Sequence, residues 1–356
     1  MNINDWIDLS KLLDKYQITS SAPCRLDCGG STDHRLTALL CRRWHPVTTN
    51  ISLDLRTTVT LKPHLPGKIL IESNHVGTEE ATVPKMPLSG HLGLVSAILA
   101  HFGVHGVRVV IDSQSPPQSG LGGSGAVAVA AIGAISKTLS ILKLQEPYKP
   151  HDIVLLAHHI EDSLYGNSGL QDQAAAMYGN VHLWEWRYGS TLNFTGRKIL
   201  LHRRELEKHI VLAYTGKTHP SSHKGSLALQ MFKRNGNLEL LFQISEHART
   251  FAQAVQCSDY LNAADALSME LALRSQLIPE ILPDDDKILV KTAVETGCGA
   301  KIAGHGGGGC IWAIGPKESI NETKQRWESI FKERGSGYFL PVSIATKGMR
   351  TQVKDV

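Results

Sequence analysis

The chain has 356 residues, of which 42% are hydrophobic and 20% are charged, a balance that supports a folded core and excludes general disorder. Its net charge of +4 is spread along the chain, which argues against an obligate nucleic-acid-binding protein and suits anionic small molecules. At about 150 residues per domain, the length indicates two domains or one large domain in two lobes.

The six cysteines indicate a reducing compartment, because they form no Cys-x-x-Cys pair and no zinc-finger spacing. Asp5 and Asp8 stand where a secretory leader needs an apolar run. The longest stretch of apolar residues and glycine, 126–135, is about half as long as a membrane-spanning helix. These features predict a cytoplasmic protein with no membrane segment.

Hydrophobic patterns along the chain alternate between strand-like and helix-like segments. Short β-branched and aliphatic runs predict strands at 52–61, 68–72, 107–111, 181–186, 210–214, 300–303 and 310–314. Longer apolar patterns predict helices at 92–102, 126–142, 151–164, 245–254, 260–275 and 287–295. This mixed order predicts an α+β protein rather than a regular βαβ repeat.

A glycine-rich string at residues 120–125, Gly-Leu-Gly-Gly-Ser-Gly, lies between a predicted strand and a predicted helix. Backbone N–H groups at a helix N-terminus make an anion-binding site. The string also fits the dinucleotide-binding pattern Gly-x-Gly-x-x-Gly, but residues 112–119 separate it from the strand and no acidic strand end follows at the required distance. It lacks the Gly-Lys-Ser/Thr of a Walker A loop, and a purely structural turn is the alternative.

Three further segments carry polar residues beside glycines. Residues 169–173, Gly-Leu-Gln-Asp-Gln, place Asp172 in a predicted turn, and Glu161 lies eleven residues earlier on the preceding helix. Residues 301–310 form a second glycine-rich loop between two strands. Near the N-terminus, residues 22–33 predict a turn led by Pro and Arg that ends in a carboxylate.

In this order, the four segments resemble the GHMP small-molecule kinases, which include galactokinase, homoserine kinase, mevalonate kinase and phosphomevalonate kinase. The resemblance spans about residues 21–315, and residues 116–124 have the family form Pro-x-x-x-Gly-Leu-Gly-x-Ser. The string at 169–173 and the segments 50–61 and 212–218 are most similar to heptose-phosphate kinases and fucokinases, which phosphorylate an anomeric hydroxyl. Galactokinases share the Asp-Gln pair but usually carry a Glu-His-x-Asp string that is absent here.

The resemblance implies a two-lobed α+β fold with the active site in the cleft between the lobes. Residues 1–195 would form the N-terminal ATP-binding lobe, with a mixed sheet and helices, and residues 196–356 the C-terminal α/β lobe. The protein would be a monomer or homodimer that binds a small-molecule sugar or sugar phosphate, without a nucleic-acid or membrane partner.

The resemblance also implies the residues that bind ATP and Mg²⁺. The ATP phosphates would be bound by Pro116, Gly120, Leu121, Gly122, Gly123, Ser124 and Gly125. Ser124 and Glu161 would hold Mg²⁺, and a hydroxyl and a carboxylate oxygen suit that ion.

By the same resemblance, Asp172 would be the base that accepts the sugar hydroxyl proton, and Arg25 would keep it ionised. Phosphoryl transfer depends mainly on positioning and charge neutralisation, so a lone base contributes roughly 10²–10³-fold. Lys301 would lie at the edge of a loop that closes around the reacting phosphate. Substrate contacts would come from Asp33, Gln171, Gly306, Gly307 and Lys217.

The sequence departs from the family pattern at three places. Arg25 and Asp33 are eight residues apart, where the sugar kinases typically have nine. Gly123 and Gly125 replace a commoner serine and alanine, and His305 stands where alanine is usual. These departures bear on the identity of the sugar.

The candidate catalytic residues also have structural interpretations. Glu161 could be a solvated helix residue, because glutamate favours helices. Asp172 could cap the helix that follows it, as aspartate does at turns. Arg25 could pair with Asp27 or Asp33 in a purely structural role.

The main functional hypothesis is an ATP- and Mg²⁺-dependent kinase that makes a sugar 1-phosphate from a heptose 7-phosphate-like sugar. The polar cluster Lys217, Thr218, Ser221, Ser222 and Lys224 and the mild positive charge suit such an anionic substrate. The alternatives are a galactokinase- or fucokinase-like kinase of a neutral sugar, and a sensor that binds ATP and sugar without turnover. A nicotinamide oxidoreductase has only the Gly-x-Gly-x-x-Gly coincidence in its favour.

Overall fold

The structure is a computed structural model, and it describes residues 5–29, 34–90, 92–166, 169–189, 191–217, 237–304 and 306–356. Asp33, His305 and the polar residues that follow Lys217 lie outside the described residues.

The described strands are numbered in chain order. They are β1 (Ile7–Asp8), β2 (Tyr16–Gly29), β3 (Val47–Pro63), β4 (Lys68–Ser73), β5 (Gly77–Thr82), β6 (Val104–His105), β7 (Val107–Ser113), β8 (Val181–Tyr188), β9 (Leu192–Lys198), β10 (Ile210–Tyr214), β11 (Gly299–Ile302), β12 (Cys310–Ile314), β13 (Tyr338–Leu340) and β14 (Arg350–Asp355).

The described α-helices are numbered in the same way. They are α1 (Ser10–Leu13), α2 (His34–Leu40), α3 (Gly93–Phe102), α4 (Gly123–Ile141), α5 (Pro150–Tyr165), α6 (Gln171–Tyr178), α7 (Arg203–Leu206), α8 (Leu238–Gln256), α9 (Tyr260–Leu277), α10 (Asp284–Glu295) and α11 (Lys317–Arg334). Short 3₁₀ turns lie at Glu207–His209 and Pro279–Ile281.

The large sheet has the strand order β14-β2-β3-β7-β4-β5, and β8 and β9 extend it beside the first part of β3. In the second half of β3, buried Leu53, Leu55, Val59 and Leu61 alternate with more exposed residues. The first half of β3 is buried on both faces, so it lacks that alternation. This difference explains why the sequence predicted a strand only at 52–61.

Strand β2 corrects one prediction, because residues 22–29 continue a strand rather than form a turn. Pro23 lies where the register between β2 and β3 shifts, a bulge that accommodates a residue without an N–H donor. The rest of the segment is buried and pairs with β3 as far as Gly29. Pro23 thus marks an irregularity within the strand, and Gly29 marks its end.

Helix α4 lies at the centre of the first hydrophobic core, packed against β2, β3, α5 and α6. With 19 residues it is long and apolar enough to cross a membrane, whereas the sequence had indicated a shorter apolar stretch. However, 72% of its most apolar window is buried inside the protein. We therefore interpret α4 as a core helix.

The second sheet has the order β11-β12-β10-β13, with antiparallel pairs. Alternate residues of β10 and β12 face α10 and α11 on one side and the first core on the other. The two sheets with their helices confirm the predicted α+β class. The division at residues 195/196 stays a prediction: β9 belongs to the large sheet, and the chain returns to that sheet at β14.

Candidate active site

Asp172 lies in the first turn of α6, which begins at Gln171, so residues 171–173 are helical rather than a turn. The N-cap of α6 is Leu170, whose own side chain makes no cap hydrogen bond. Instead, Asp172 Oδ1 accepts a hydrogen bond from Arg25 Nε at 2.8 Å and forms an ion pair with Arg25 Nη2 at 2.7 Å. The interpretation of Asp172 as a helix cap is therefore wrong.

Arg25 is buried on β2 and joins Asp172 to the first glycine loop. Its Nη1 donates to the carbonyl of Gly120 at 2.5 Å, and its backbone N–H donates to the carbonyl of Leu121 at 2.9 Å. Burial alone would lower the pKa of the Arg25 guanidinium, but Asp172 and Asp27 outweigh this effect and raise it. Arg25 is thus a fixed cation beside Asp172, and it also contacts Asp27 at 3.5 Å.

The first glycine loop packs directly onto Asp172. Gly122 is the N-cap of α4 and has a φ of +79°, which favours glycine. A Cβ at Gly122 would lie 3.1 Å from Asp172 Cγ, and one at Gly125 would lie 2.7 Å from Asp172 Cβ. Glycine at both positions allows the carboxylate to approach the helix N-terminus.

This N-terminus has the features of an anion-binding site. The first N–H groups of a helix have no intrahelical partner, and Gly122 has no side chain that could accept from them. Pro116 and Leu121 are buried and anchor the loop, whereas Ser124 is exposed. The free N–H groups and the helix dipole favour a bound phosphate beside Asp172.

The second glycine loop lies against the first. The N–H of Cys310 donates to the carbonyl of Ser119 at 2.8 Å, and a Cβ at Gly120 would lie 2.5 Å from the carbonyl oxygen of Ala303. Gly306 and Gly307 pack against Ile281, whose carbonyl accepts from the Gly307 N–H at 2.7 Å. These approaches leave no room for side chains at several loop positions.

Glu161 is buried on α5, so its interpretation as a solvated helix residue is wrong. Its Oε2 accepts from the amide of Gln173 on α6. Glu161 and the Ser124 hydroxyl offer hard oxygen ligands, which fit Mg²⁺ when phosphate oxygens and water complete the six positions. Within the described ranges, no three His, Cys, Asp or Glu side chains form a metal cluster.

Two further residues that were predicted to bind substrate, Gln171 and Lys217, differ in their surroundings. The Gln171 side chain is fully buried, and its Oε1 accepts from Asn50 Nδ2 at 3.2 Å. Lys217 lies beside the second glycine loop, where its carbonyl accepts from the Gly309 N–H at 3.0 Å and its ammonium pairs with Asp285. The substrate roles of both residues stay predictions.

Lys301 does not lie at the open edge of the second loop, which corrects the sequence-based expectation. Its side chain is fully buried and pairs with Asp27 at 3.1 Å and with Glu270 at 3.0 Å. Glu270 and Arg274, an i, i+4 pair on α9, complete this buried group, and the sequence analysis did not identify them. The i, i+4 spacing of Glu270 and Arg274 predicts an ion pair on the helix, but it does not predict that the pair is buried.

Comparison with known proteins gives the family of this site. Residues 91–180, which include the first glycine loop, Glu161 and Asp172, match the GHMP kinases N terminal domain. A D-glycero-alpha-D-manno-heptose 7-phosphate kinase of Campylobacter jejuni is 25% identical over 94% of this chain and 98% of its own length. Residues 91–180 therefore form a GHMP kinase N-terminal domain.

Other GHMP kinases are similar over most of the chain. The mevalonate kinase of Thermococcus onnurineus is 27% identical over 75% of this chain and 82% of its own length. The crystal structure of Lactococcus lactis galactokinase with galactose has a TM-score of 0.70 and 17% identity, covering 94% of this chain and 95% of the galactokinase. GHMP kinases are phosphotransferases with an alcohol acceptor, and the chain is an enzyme of this class.

Proposed function

We propose that this GHMP kinase transfers the γ-phosphate of ATP to the anomeric hydroxyl of a heptose 7-phosphate-like sugar and releases a sugar 1-phosphate. The observation that carries the proposal is the Arg25–Asp172 pair, packed against the glycine loop at the N-terminus of α4. This arrangement puts a base, a fixed cation and an anion-binding loop within one site.

Asp172 would act on the acceptor hydroxyl. Both Arg25 contacts go to Oδ1, so we assign Oδ2 as the atom that accepts the hydroxyl proton. The Asp172 side chain keeps 16% of its surface exposed, whereas Arg25 is buried behind it. A substrate can therefore reach the carboxylate from the solvent side, and the Arg25 charge favours its ionised form.

The α4 N-terminus would bind the phosphates of ATP through its backbone N–H groups. Ser124 and Glu161 would hold Mg²⁺, which neutralises charge on the transferring phosphoryl group. The Gln173 amide contacts Glu161 and would orient that carboxylate. The proposal includes a cytoplasmic monomer or homodimer with lobes at 1–195 and 196–356.

The identity of the acceptor sugar is the more specific part of the proposal. It is supported by the Campylobacter relative, whose alignment covers 94% of this chain, and by Lys217 beside the second glycine loop. The galactokinase of similar fold favours a neutral sugar as the second candidate. The mevalonate kinase relative adds a non-sugar alcohol to the compounds to be tested.

The decisive experiment measures ADP release with MgATP and a panel of acceptors. The panel contains manno-heptose 7-phosphate, sedoheptulose 7-phosphate, mannose, fucose, galactose and mevalonate. Turnover above about 1 s⁻¹ with a heptose phosphate, and a product phosphorylated at the anomeric position, is the expected result.

Two outcomes would contradict the proposal. Turnover only with a neutral sugar or with mevalonate would keep the kinase but reject the sugar phosphate. Background rates with every acceptor, combined with measurable MgATP binding, would favour the sensor that binds without turnover.

A further inference from the structure

Four charged side chains, Asp27, Glu270, Arg274 and Lys301, form a buried network behind Arg25, on β2, α9 and β11. Each side chain is at most 4% exposed. Lys301 Nζ lies between Asp27 and Glu270, and Arg274 Nε donates to Glu270 Oε1 at 2.8 Å. Two anions and two cations balance, so the Asp27 network is neutral.

Asp27 is the member that reaches the active site. Its Oδ1 accepts from the Gly304 N–H at 2.8 Å and lies 3.5 Å from Arg25 Nη1. Its Oδ2 faces Lys301 at 3.1 Å and Arg274 at 3.6 Å. All four partners are donors, and a carboxylate can accept from all of them, whereas an amide cannot.

Gly304 is held from both sides by the network. Its N–H donates to Asp27, and its carbonyl accepts from Arg274 Nη1 at 2.9 Å. A Cβ at Gly304 would lie 2.6 Å from the carbonyl oxygen of Gly120. The peptide that begins the second glycine loop is thereby fixed against the first loop.

Burial of ion pairs is a weak route to stability, because apolar residues of similar volume often serve as well. The network instead has a specific geometry toward Arg25 and Gly304. Burial alone would raise the pKa of Asp27, but Lys301, Arg25 and Arg274 hold it well below its usual range. Asp27 is therefore a permanent anion between the two loops.

We propose that Asp27 is a positioning residue, which holds Gly304 and Arg25 so that the second glycine loop and Asp172 meet the phosphate in the right arrangement. This inference rests on the proposed kinase function for its effect on turnover. It also predicts an effect on the backbone of the second loop that does not depend on turnover.

The test compares Asp27→Asn with Glu270→Gln. Both changes replace a fully buried carboxylate by an amide facing Lys301, so both disturb the network in the same way. In the structure, Asp27 contacts Gly304 and Arg25, whereas Glu270 contacts Lys301 and Arg274. Glu270→Gln also loosens Arg274, which donates to the Gly304 carbonyl, but it keeps the Asp27 contacts to the Gly304 N–H and to Arg25, so it is the matched control for those two contacts.

We expect Asp27→Asn to raise hydrogen exchange at least tenfold in peptides that contain Gly304, relative to Glu270→Gln. With the acceptor from the panel, Asp27→Asn should lower kcat at least tenfold while the Kd for MgATP changes less than threefold. Glu270→Gln should leave kcat within threefold, and thermal unfolding should show similar losses of stability for the two variants.

Equal exchange at Gly304 in the two variants, or an equal loss of kcat, would overturn the positioning role. If the wild-type protein turns over no acceptor, the proposed function fails, and the exchange comparison still decides whether Asp27 holds Gly304. Should Asp27→Asn not fold, Asp27→Ser provides the second variant, because serine can accept from Gly304 but removes the charge that attracts Arg25.

Discussion

At the scale of single residues, Asp172, the base in the proposed function, also requires its neighbours to be small. The carboxylate is close enough to α4 that Gly122 and Gly125 have no space for a Cβ without displacing it. Both Arg25 contacts go to one oxygen of the carboxylate, and the side chain as a whole keeps 16% of its surface exposed. The packing of Asp172 thereby constrains which residues can lie opposite it.

Asp172→Asn should lower kcat by 10²–10³-fold, roughly the contribution of a lone general base, while the Kd for MgATP changes only a few-fold. Asparagine keeps the size of the side chain and can still accept from Arg25, but it cannot accept a proton. Initial rates and nucleotide titration provide the measurements. Asp265→Asn, an exposed change on α9, is the control and should leave both constants unchanged. Near-full turnover in Asp172→Asn would remove the base role.

Gly125→Ala should destabilise the protein by about 1–3 kcal/mol, because the new Cβ would lie 2.7 Å from Asp172 Cβ and force α4 and α6 apart. Gly123→Ala is the matched control: its Cβ would find Ser115 Oγ at 3.6 Å, an ordinary contact. Alanine at that helical position should be neutral or stabilise by up to about 1 kcal/mol. Urea denaturation without nucleotide measures both effects, and equal midpoints would contradict this packing argument.

The sequence located Arg25, Glu161 and Asp172 by their resemblance to a family, and the structure brings Arg25 and Asp172 into contact. It could not show that Lys301 points inward. A lysine before a glycine-rich loop has the same local sequence whether its ammonium meets a phosphate or a buried carboxylate. The difference depends on Asp27 and Glu270, which are 274 and 31 residues away in the chain.

At the scale of secondary-structure elements, the sequence predicted the bounds of an element well where a single hydrophobic pattern ran through it. It predicted them poorly where the burial of the side chains changed along the element. Helices α4 and α9 are continuous, and their predicted spans lie close to the observed ones. Strand β2 is buried on both faces after Ala22 and contains a bulge at Pro23, so it shows neither alternation nor continuity. Such a strand is defined by its partners β3 and β14 rather than by its own sequence.

The segment before β14 packs tightly against α6, and a substitution in it can test this packing. Gly348 lies under Met177 at the end of α6, and a Cβ there would overlap the Met177 carbonyl oxygen. Arg56 also donates to the Gly348 carbonyl at 2.7 Å. We expect Gly348→Ala to cost about 1–3 kcal/mol of unfolding free energy, measured by urea denaturation.

Gly189→Ala is the control for this change, because among the described residues, apart from its chain neighbours, no atom lies within 4 Å of its added Cβ. It should stay within about 0.5 kcal/mol of the wild type. An equal loss of unfolding free energy in the two variants would show that Gly348 can be replaced and that the packing around it is weaker than its geometry indicates.

At the scale of the whole molecule, buried titratable groups make stability depend on pH. His182 is buried on β8, stacks on Trp184 with ring centroids 4.7 Å apart, and donates from Nδ1 to the Gly179 carbonyl at 2.8 Å. Burial lowers the pKa of His182 to about 4. An unfolded histidine has a pKa near 6.5, so between these values the unfolded chain binds more protons.

The contribution of His182 is therefore complete above about pH 6.5 and is lost as pH falls toward 4, by up to about 1.4 kcal/mol per pH unit. His182→Asn can still donate to Gly179 but does not titrate, so its unfolding free energy should fall less steeply across this window. Urea denaturation between pH 4 and 7 measures the slope. The exposed His202→Asn should keep the wild-type slope, and an unchanged slope in His182→Asn would refute the assignment.

The return of the chain to the large sheet affects when the site can form during synthesis. Residues 343–345 bond to Ser52 and Asp54 on β3, opposite Arg25, and β14 then covers the free edge of β2. At typical ribosome speeds, these residues emerge tens of seconds after Arg25. The nascent chain therefore carries β2 with one edge open until β14 has been made.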